Sequence, residues 1–323
     1  MRWGEKPYYS LDYYLKEKFG EKVYKIALDG GMTCPNRDGT LDTRGYIFCS
    51  SGGSGDFAVH KKTSVTEQIN DAITLLKSHD KKTGSKYIAY FQSYSNTYAP
   101  LSRLASLYSE ALSHPSVVGL VIGTRPDCVD EEKLDWLAGL RTGKVLPGWR
   151  RDGFDRPVVK VEYGIESCHD RTLERVGRGH GVEVAVQAVK MSAERGLEPG
   201  AHFILGLPGE TREMLIDQCG FISSMPLHSV KFHQLQIVKG TRIEQEYSAH
   251  PEDFYMPELP EYLDLVCDIL ERLRPDLLIE RVAGEVPPRF VRETKWGLIR
   301  NFQILHMLDD MLEERDTWQG RLF

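Results

Sequence analysis

The sequence predicts an α/β fold, and three observations carry that expectation. Short apolar, β-branched runs recur six times, each is followed by a stretch with helical periodicity, and glycine or polar residues separate the pairs. The first run is Val23 to Leu28. Ser64 then opens a helix, with Glu67 three residues on completing a capping-box pattern and Ile69, Ile73 and Leu76 on one face. Lys86 to Phe91 is the second strand, and Pro100 to His114 a helix opened by proline. Val117 to Ile122 is the third strand, and Asp130 caps a helix carrying Leu134, Leu137 and Leu140. Val158 to Ile165 is the fourth, followed by helical sequence from about Arg171 to Arg195. Ala201 to Leu207 and Ser229 to Val238 are the fifth and sixth, with a helix over Thr211 to Met225 between them. Strand–helix repetition of this kind gives a parallel sheet with helices outside it. Six units fall short of the eight of a closed barrel, so counting alone leaves an open doubly wound sheet as the rival to a partial barrel.

After about Thr241 the rhythm changes to helical stripes at Leu259 to Leu273 and Trp296 to Glu314, with a candidate strand at Leu277 to Val282. Three segments are expected: an aromatic-rich N-terminal stretch (1–22), the α/β body (23–245), and a C-terminal helical extension packed on it (246–323). The chain has 323 residues, 41% hydrophobic and 27% charged, with a net charge of −6. That balance argues against a general nucleic-acid-binding surface and leaves room for a local basic patch. No apolar run approaches the ~20 residues that span a bilayer, so no membrane partner is expected. The first twenty residues lack the apolar core of a signal peptide, and the six cysteines are irregularly spaced, which together predict a cytoplasmic protein.

The chemistry is expected in the loop after the first strand, GGMTCPNRDGTLDTRGYIFCSSGGSGDF, from Gly30 to Phe57. It holds Cys34 and Cys49. Cysteine packs as a small hydrophobe, but its thiolate is a soft metal ligand, and loops following parallel strands are where barrels place their sites. The run Gly52 to Gly55 reads as a flexible close to this loop. Cys128, Cys168, Cys219 and Cys267 read most simply as buried small hydrophobes. Gln92 and Ser93 end the second strand, where a polar cluster is either a turn or a site. Glu162 lies within an apolar strand, where an unpaired carboxylate is costly to bury; a buried salt bridge and a ligand contact are both open. Glu166 ends that strand, and Arg178 and His180 follow. On the sixth strand, His233 and Gln236 fall on opposite faces by the period of two, so one of them faces the site.

The frame CPNRDG followed by G-Y-I-F-C resembles the cluster loop of radical S-adenosylmethionine (SAM) enzymes, in a bacterial branch similar to the catalytic subunit of elongator. Pro35, Asn36, Arg37, Asp38, Gly39, Gly45 and Phe48 fit that pattern, and the match runs through almost the whole chain. The resemblance implies a partial (β/α)6 TIM-like barrel. It also implies a [4Fe–4S] cluster held by three cysteines, with SAM on the open iron. An electron from the cluster then cleaves SAM to a 5′-deoxyadenosyl radical. It assigns Cys34 and Cys49 as cluster ligands and places Tyr46 where the middle cysteine belongs. It further implies that Gln92, Ser93, Glu162, Ile204, Gly206 and His233 meet SAM, with Glu162 on the ribose hydroxyls, Ile204 on the adenine face, and Gly206 in a segment whose glycines admit the backbone close to it.

A phenol is a hard ligand and replaces a thiolate poorly. Three readings therefore stand: a cluster on two cysteines plus Tyr46 or a remote thiol such as Cys128 or Cys168; a degenerate member that binds SAM or RNA without radical chemistry; or a single change in an otherwise intact frame. The resemblance points to a wobble uridine of tRNA as substrate and to an external electron donor. Trp3, Tyr8, Tyr9, Tyr13 and Tyr14, and Arg289, Arg292, Lys295, Trp296 and Arg300, are residue types that hold unstacked bases, although such aromatics usually pack and such cations usually solvate.

Overall fold

The computed structural model describes residues 1–50, 64–79, 84–151, 153–293 and 295–323; Gly52 to Gly55 lie outside the described residues. Among the described residues, seven strands form one sheet: β1 (Tyr24–Leu28), β2 (Tyr87–Phe91), β3 (Val117–Thr124), β4 (Val158–Glu166), β5 (Glu198–Leu205), β6 (Ser229–Gln234) and β7 (Leu278–Arg281). The α-helices of the described residues are α1 (Leu11–Phe19), α2 (Val65–His79), α3 (Leu101–Ser113), α4 (Glu131–Thr142), α5 (Asp170–Arg175), α6 (Val182–Glu194), α7 (Arg212–Ser224), α8 (Arg242–Ala249), α9 (Leu259–Arg272) and α10 (Asn301–Glu314). All six strand pairings are parallel and follow chain order, β1 through β7. A doubly wound sheet reverses its strand order at a switch point; this one does not, which selects the partial barrel.

The local sequence explains most of these elements. β2 and most of β3 are buried along their whole length, as strands of a parallel sheet covered on both faces must be. Ser64 and Glu67 form the expected reciprocal cap, Glu67 N–H donating to Ser64 Oγ at 3.2 Å and Ser64 N–H to Glu67 Oε2 at 2.8 Å. Asp130 accepts from the Lys133 N–H and starts α4. The single helix expected over 171–195 is two, α5 and α6. Gly177 and Gly179, at φ +74° and +75°, take left-handed conformations that end the first helix and swing Arg178 inward.

Two differences lie in the extension. β7, within 246–323, pairs with β6 (Ser229↔Leu278, Val230↔Ile279) and makes the sheet seven-stranded rather than six. α10 starts at Asn301 rather than Trp296, because the described residues between β7 and α10, 282–293 and 295–300, are irregular and bear Gly284 and Gly297. The outer edge of β7 is covered by the N-terminal stretch. Ser10 bridges Ile279 in parallel, and the Ile279 N–H donates to the Tyr9 carbonyl at 2.8 Å. The aromatics of that stretch pack there: Tyr8 is buried, Tyr9 stacks on Trp3, and Tyr14 meets His228 edge-on. The basic connection between α4 and β4 is likewise structural. Trp149 Nε1–H and Arg151 Nη2–H both donate to the Leu112 carbonyl near the end of α3, at 3.0 and 2.8 Å.

Gly206 has φ +94°, and a Cβ there would lie 2.4 Å from the carbonyl oxygen of Tyr255. The glycine thus lets the chain at 254–257 cross the end of β5. Gly206→Ala is expected to cost at least about 2 kcal/mol, from backbone strain and the steric clash together. A lowered urea midpoint at unchanged m-value measures this.

Candidate active site

The described part of the loop after β1, residues 29–50, is tied down by its own backbone. The N–H groups of Arg37 and Asp38 donate to the Cys34 carbonyl at 2.8 and 3.2 Å, and Cys49 N–H donates to the Tyr46 carbonyl at 3.2 Å. It is also pinned to the far side of the barrel, Ile47 N–H donating to the Val176 carbonyl and Ile243 N–H to the Ile47 carbonyl. Beneath it Ile47, Val176, Leu207, Leu235, Ile237, Ile243 and Phe254 form a separate apolar cluster, with Ile204 and Phe48 against it.

A cavity of about 160 Å³ opens at the C-terminal ends of the strands, lined by Cys34, Tyr46, Cys49, Gln92, Glu162 and Glu166 among others. Two of its lining residues have strained backbones: Tyr94 and Glu166 both have positive φ, +62° and +72°. Gly164 makes room for Glu166, whose Oε1 would lie 2.5 Å from a Cβ at that position.

At the centre of the cavity wall sits Arg125, only 3% exposed. Its Nη1 donates to Asn36 Oδ1 at 2.8 Å and to the Tyr46 hydroxyl, its Nε to Asp127 at 2.7 Å, and its Nη2 to the Arg178 carbonyl at 3.0 Å. The Arg178 guanidinium in turn stands 4.3 Å from the centre of the Tyr46 ring. Tyr46 is therefore held by two cations, one on its oxygen and one on its face. Burial raises the Tyr46 phenol above its ordinary range and outweighs the opposing effect of Arg178 and Arg125. Burial likewise pushes the Cys49 thiol up to about 11, against Arg37 and Arg178.

Glu162 has a different setting from Gln92 and the cysteines. It is 1% exposed and both oxygens are engaged: Oε1 lies 3.1 Å from Lys25 Nζ, and Oε2 pairs with Lys231 and with His202 Nε2 at 2.9 Å. Glu280 on β7 pairs with the same Lys25 and with Lys160. Three lysines and two carboxylates from β1, β4, β6 and β7 thus form one ion cluster inside the barrel. Burial raises the Glu162 carboxyl, but Lys231, Lys25 and His202 together hold it well below the carboxylate range. Burial and the neighbouring Lys25 bring Lys160 down to about 7. The salt-bridge reading of Glu162 accounts for its burial without a ligand.

Of the residues singled out in the sequence, Cys34, Tyr46, Cys49, Gln92 and Glu162 come together around the cavity. Glu166 and Arg178 line it as well, whereas Ser93, Ile204, Gly206, His233, His180 and Gln236 do not. Ser93 is buried with an unpartnered Oγ, Ile204 belongs to the apolar cluster under the loop, and Gly206 is crossed by Tyr255. His233 faces His202 across 5.6 Å, and β6 ends at Gln234, so the alternation extrapolated to Gln236 does not hold. Sequence reasoning missed Arg125, Lys25, Lys231 and Glu280. The last three carried the signal that marked Glu162, a charge inside an apolar strand, and Arg125 carried another, a polar residue just past a parallel strand.

Residues 47–222 match the Radical SAM superfamily, and residues 227–314 match the Radical_SAM C-terminal domain. The chain belongs to the radical SAM superfamily. It is 35% identical over 319 residues to the YtqA protein of Bacillus subtilis, covering 99% of this chain and 94% of that one. It is 26% identical over 191 residues to a protein named tRNA uridine(34) acetyltransferase from Dehalococcoides mccartyi, covering 58% of this chain and 37% of that one. Its fold is similar to that of the archaeal Elp3 from Methanocaldococcus infernus, with a TM-score of 0.64 at 16% identity, covering 93% of this chain and 64% of that one. Members of this superfamily are enzymes that use a [4Fe–4S] cluster and SAM.

The residues of this radical SAM chain do not fit a cluster held by three thiolates. Cys34 and Cys49 supply two, and the third position offers a phenol whose oxygen already accepts from Arg125. Among the described residues, no three His, Cys, Asp or Glu side chains are grouped so as to hold a metal ion. Cys128 is buried, with its thiol toward Asp127 and pushed up to about 12, chiefly by burial.

The ion cluster makes a direct prediction. Glu162→Ala leaves Lys25 and Lys231 with one carboxylate fewer in a buried site and is expected to destabilise the fold by about 3–5 kcal/mol. Denaturant unfolding monitored by circular dichroism measures it. An unchanged midpoint would show that Glu162 is free for another partner.

Proposed function

We propose that this chain is a SAM-dependent enzyme of the elongator-like radical SAM branch, and that it modifies the side chain of the wobble uridine in tRNA with electrons from an external cytoplasmic donor. The observation that carries this reading is the gathering of Cys34, Cys49 and Gln92 at one cavity on the C-terminal face of a superfamily barrel. Similarity to a protein named for tRNA uridine(34) supports the substrate class. Cys34 and Cys49 supply two thiolates for iron, and Gln92 is the polar group just past β2 on the cavity wall that would meet SAM. Glu162 is left out of the ribose role, because the lysines and His202 occupy it.

A second reading is favoured by Tyr46 itself. With its oxygen on Arg125 and its ring under Arg178, the loop is closed without iron, as suits a protein that binds SAM or RNA and performs no radical chemistry.

Anaerobic reconstitution with iron counting and EPR separates the two. Tyr46→Cys is expected to take up about four irons per chain and give the EPR signal of a reduced [4Fe–4S] cluster, with the present sequence well below that. Poor loading of both proteins favours the binding reading. Equal, full loading of both removes the significance given to Tyr46.

A further inference from the structure

Beside the cluster-loop cavity lies a larger chamber of about 790 Å³, bounded by the ends of β5, β6 and β7 and by the irregular residues that precede α10. Its volume lies within the range of about 300–1,000 Å³ typical of small-molecule sites. Leu205, Ile237, Tyr255, Tyr262 and Trp296 give it apolar and aromatic walls. Gln92 lines both spaces, so the chamber adjoins the cluster-loop cavity.

Most polar groups around the chamber are already committed. Gln234 is spent on Gly284 at both ends of its amide, and Gln236 Nε2 donates to the same glycine carbonyl at 3.1 Å. Lys295 pairs with Glu258 at 3.7 Å and donates to the Met256 carbonyl. Glu285 accepts the N–H of Asn301 at 2.5 Å. Glu293 and Arg300 are exposed on the segment before α10.

Arg281 differs from all of these in how it is aimed. Val230 pairs with Ile279 and Lys231 with Arg281, so Glu280 is an extra residue in β7 and the strand is bulged there. Two successive side chains thereby turn into the barrel. Glu280 enters the ion cluster with Lys25 and Lys160, its side chain 0% exposed, and Arg281 opens into the chamber. The carboxylates nearest in the fold, Glu162 and Glu280, are taken by the three lysines. Arg281 is left with no hydrogen bond or ion pair to any described residue, and neither Glu285 nor Glu293 pairs with it. Its charge acts on Tyr90, His202 and His233, and Tyr90 and His202 line the cluster-loop cavity. Burial lowers His202 to about 4, with Lys231 and Arg281 acting in the same direction, and burial lowers His233 as well. Both imidazoles are therefore neutral at neutral pH, and Arg281 is the uncommitted cation at this end of the chamber.

A guanidinium with open donors beside apolar walls suits a planar or tetrahedral oxyanion, which it can meet with two parallel hydrogen bonds. We propose that Arg281 anchors the oxyanion, carboxylate or phosphate, of a small molecule whose apolar or aromatic body fills the chamber. This goes beyond the tRNA reading and does not rest on it.

Ligand-observed NMR on the full chain tests the site with probes of one shape: naphthoate, naphthyl phosphate and the neutral naphthamide. At least one anion is expected to bind saturably and about tenfold more tightly than the amide. Arg281→Met should remove that margin and leave amide binding unchanged. Whichever anion binds more tightly identifies the source, an organic acid or a phosphate ester. Phenylglyoxal labelling of the unmutated chain, read by mass spectrometry of the Arg281 peptide, repeats the test without a variant. The bound anion should slow labelling of Arg281 about tenfold, and the amide should not. Equal binding of anion and amide, no saturable anion binding, or an unprotected Arg281 overturns the site. Displacement of the anion by SAM also overturns it, because the guanidinium then belongs to the cofactor. None of these readouts needs iron or RNA, so their failure leaves the tRNA reading standing.

Discussion

The site is assembled around one buried guanidinium. Arg125 follows β3 directly and reaches three separate pieces of chain: Asn36 and Tyr46 in the cluster loop, its own neighbour Asp127, and the Arg178 carbonyl in the connection between α5 and α6. A guanidinium can do this because it presents five donors in a fixed plane, and burial makes each of its bonds costly to leave unmade. The loop geometry and the position of the Tyr46 oxygen follow from it, and Arg178, turned inward by Gly177 and Gly179, is tied to it through its carbonyl. In a thiolate-ligated site the residue at position 46 would face iron; here it faces an arginine.

Deeper in the barrel a second electrostatic constraint operates. Glu162 and Glu280 balance Lys25, Lys160 and Lys231 in a space closed by the strands themselves. Such clusters contribute little net stability compared with apolar packing, but removing one member leaves an uncompensated charge. The cluster fills part of the barrel interior with charge, and Glu162 also lines the cavity beneath the loop.

Much of this was legible in the sequence. Strand–helix alternation gave the parallel sheet, and the CPNRDG frame located the loop that holds Cys34, Tyr46 and Cys49. The seventh strand was harder to see, because Leu278–Arg281 is only four residues long and sits between helical stripes. Gly206 illustrates a different limit. From the sequence it is a glycine that admits a ligand close to the backbone, but the atom that approaches it comes from Tyr255, far along the chain. Pairing explains the remainder. A lone Glu162 reads as a ligand site or a salt bridge, and only the fold brings Lys25, Lys231 and His202 to it.

The central claim is that Tyr46 belongs to Arg125 and not to iron. Resonance Raman spectroscopy of the present sequence after anaerobic incubation with iron and sulfide tests it most directly, since iron-bound phenolate has vibrations that a free phenol lacks. The account predicts that no iron–phenolate modes appear. Their presence, and their loss in Tyr46→Phe, would contradict it and make the tyrosine a ligand.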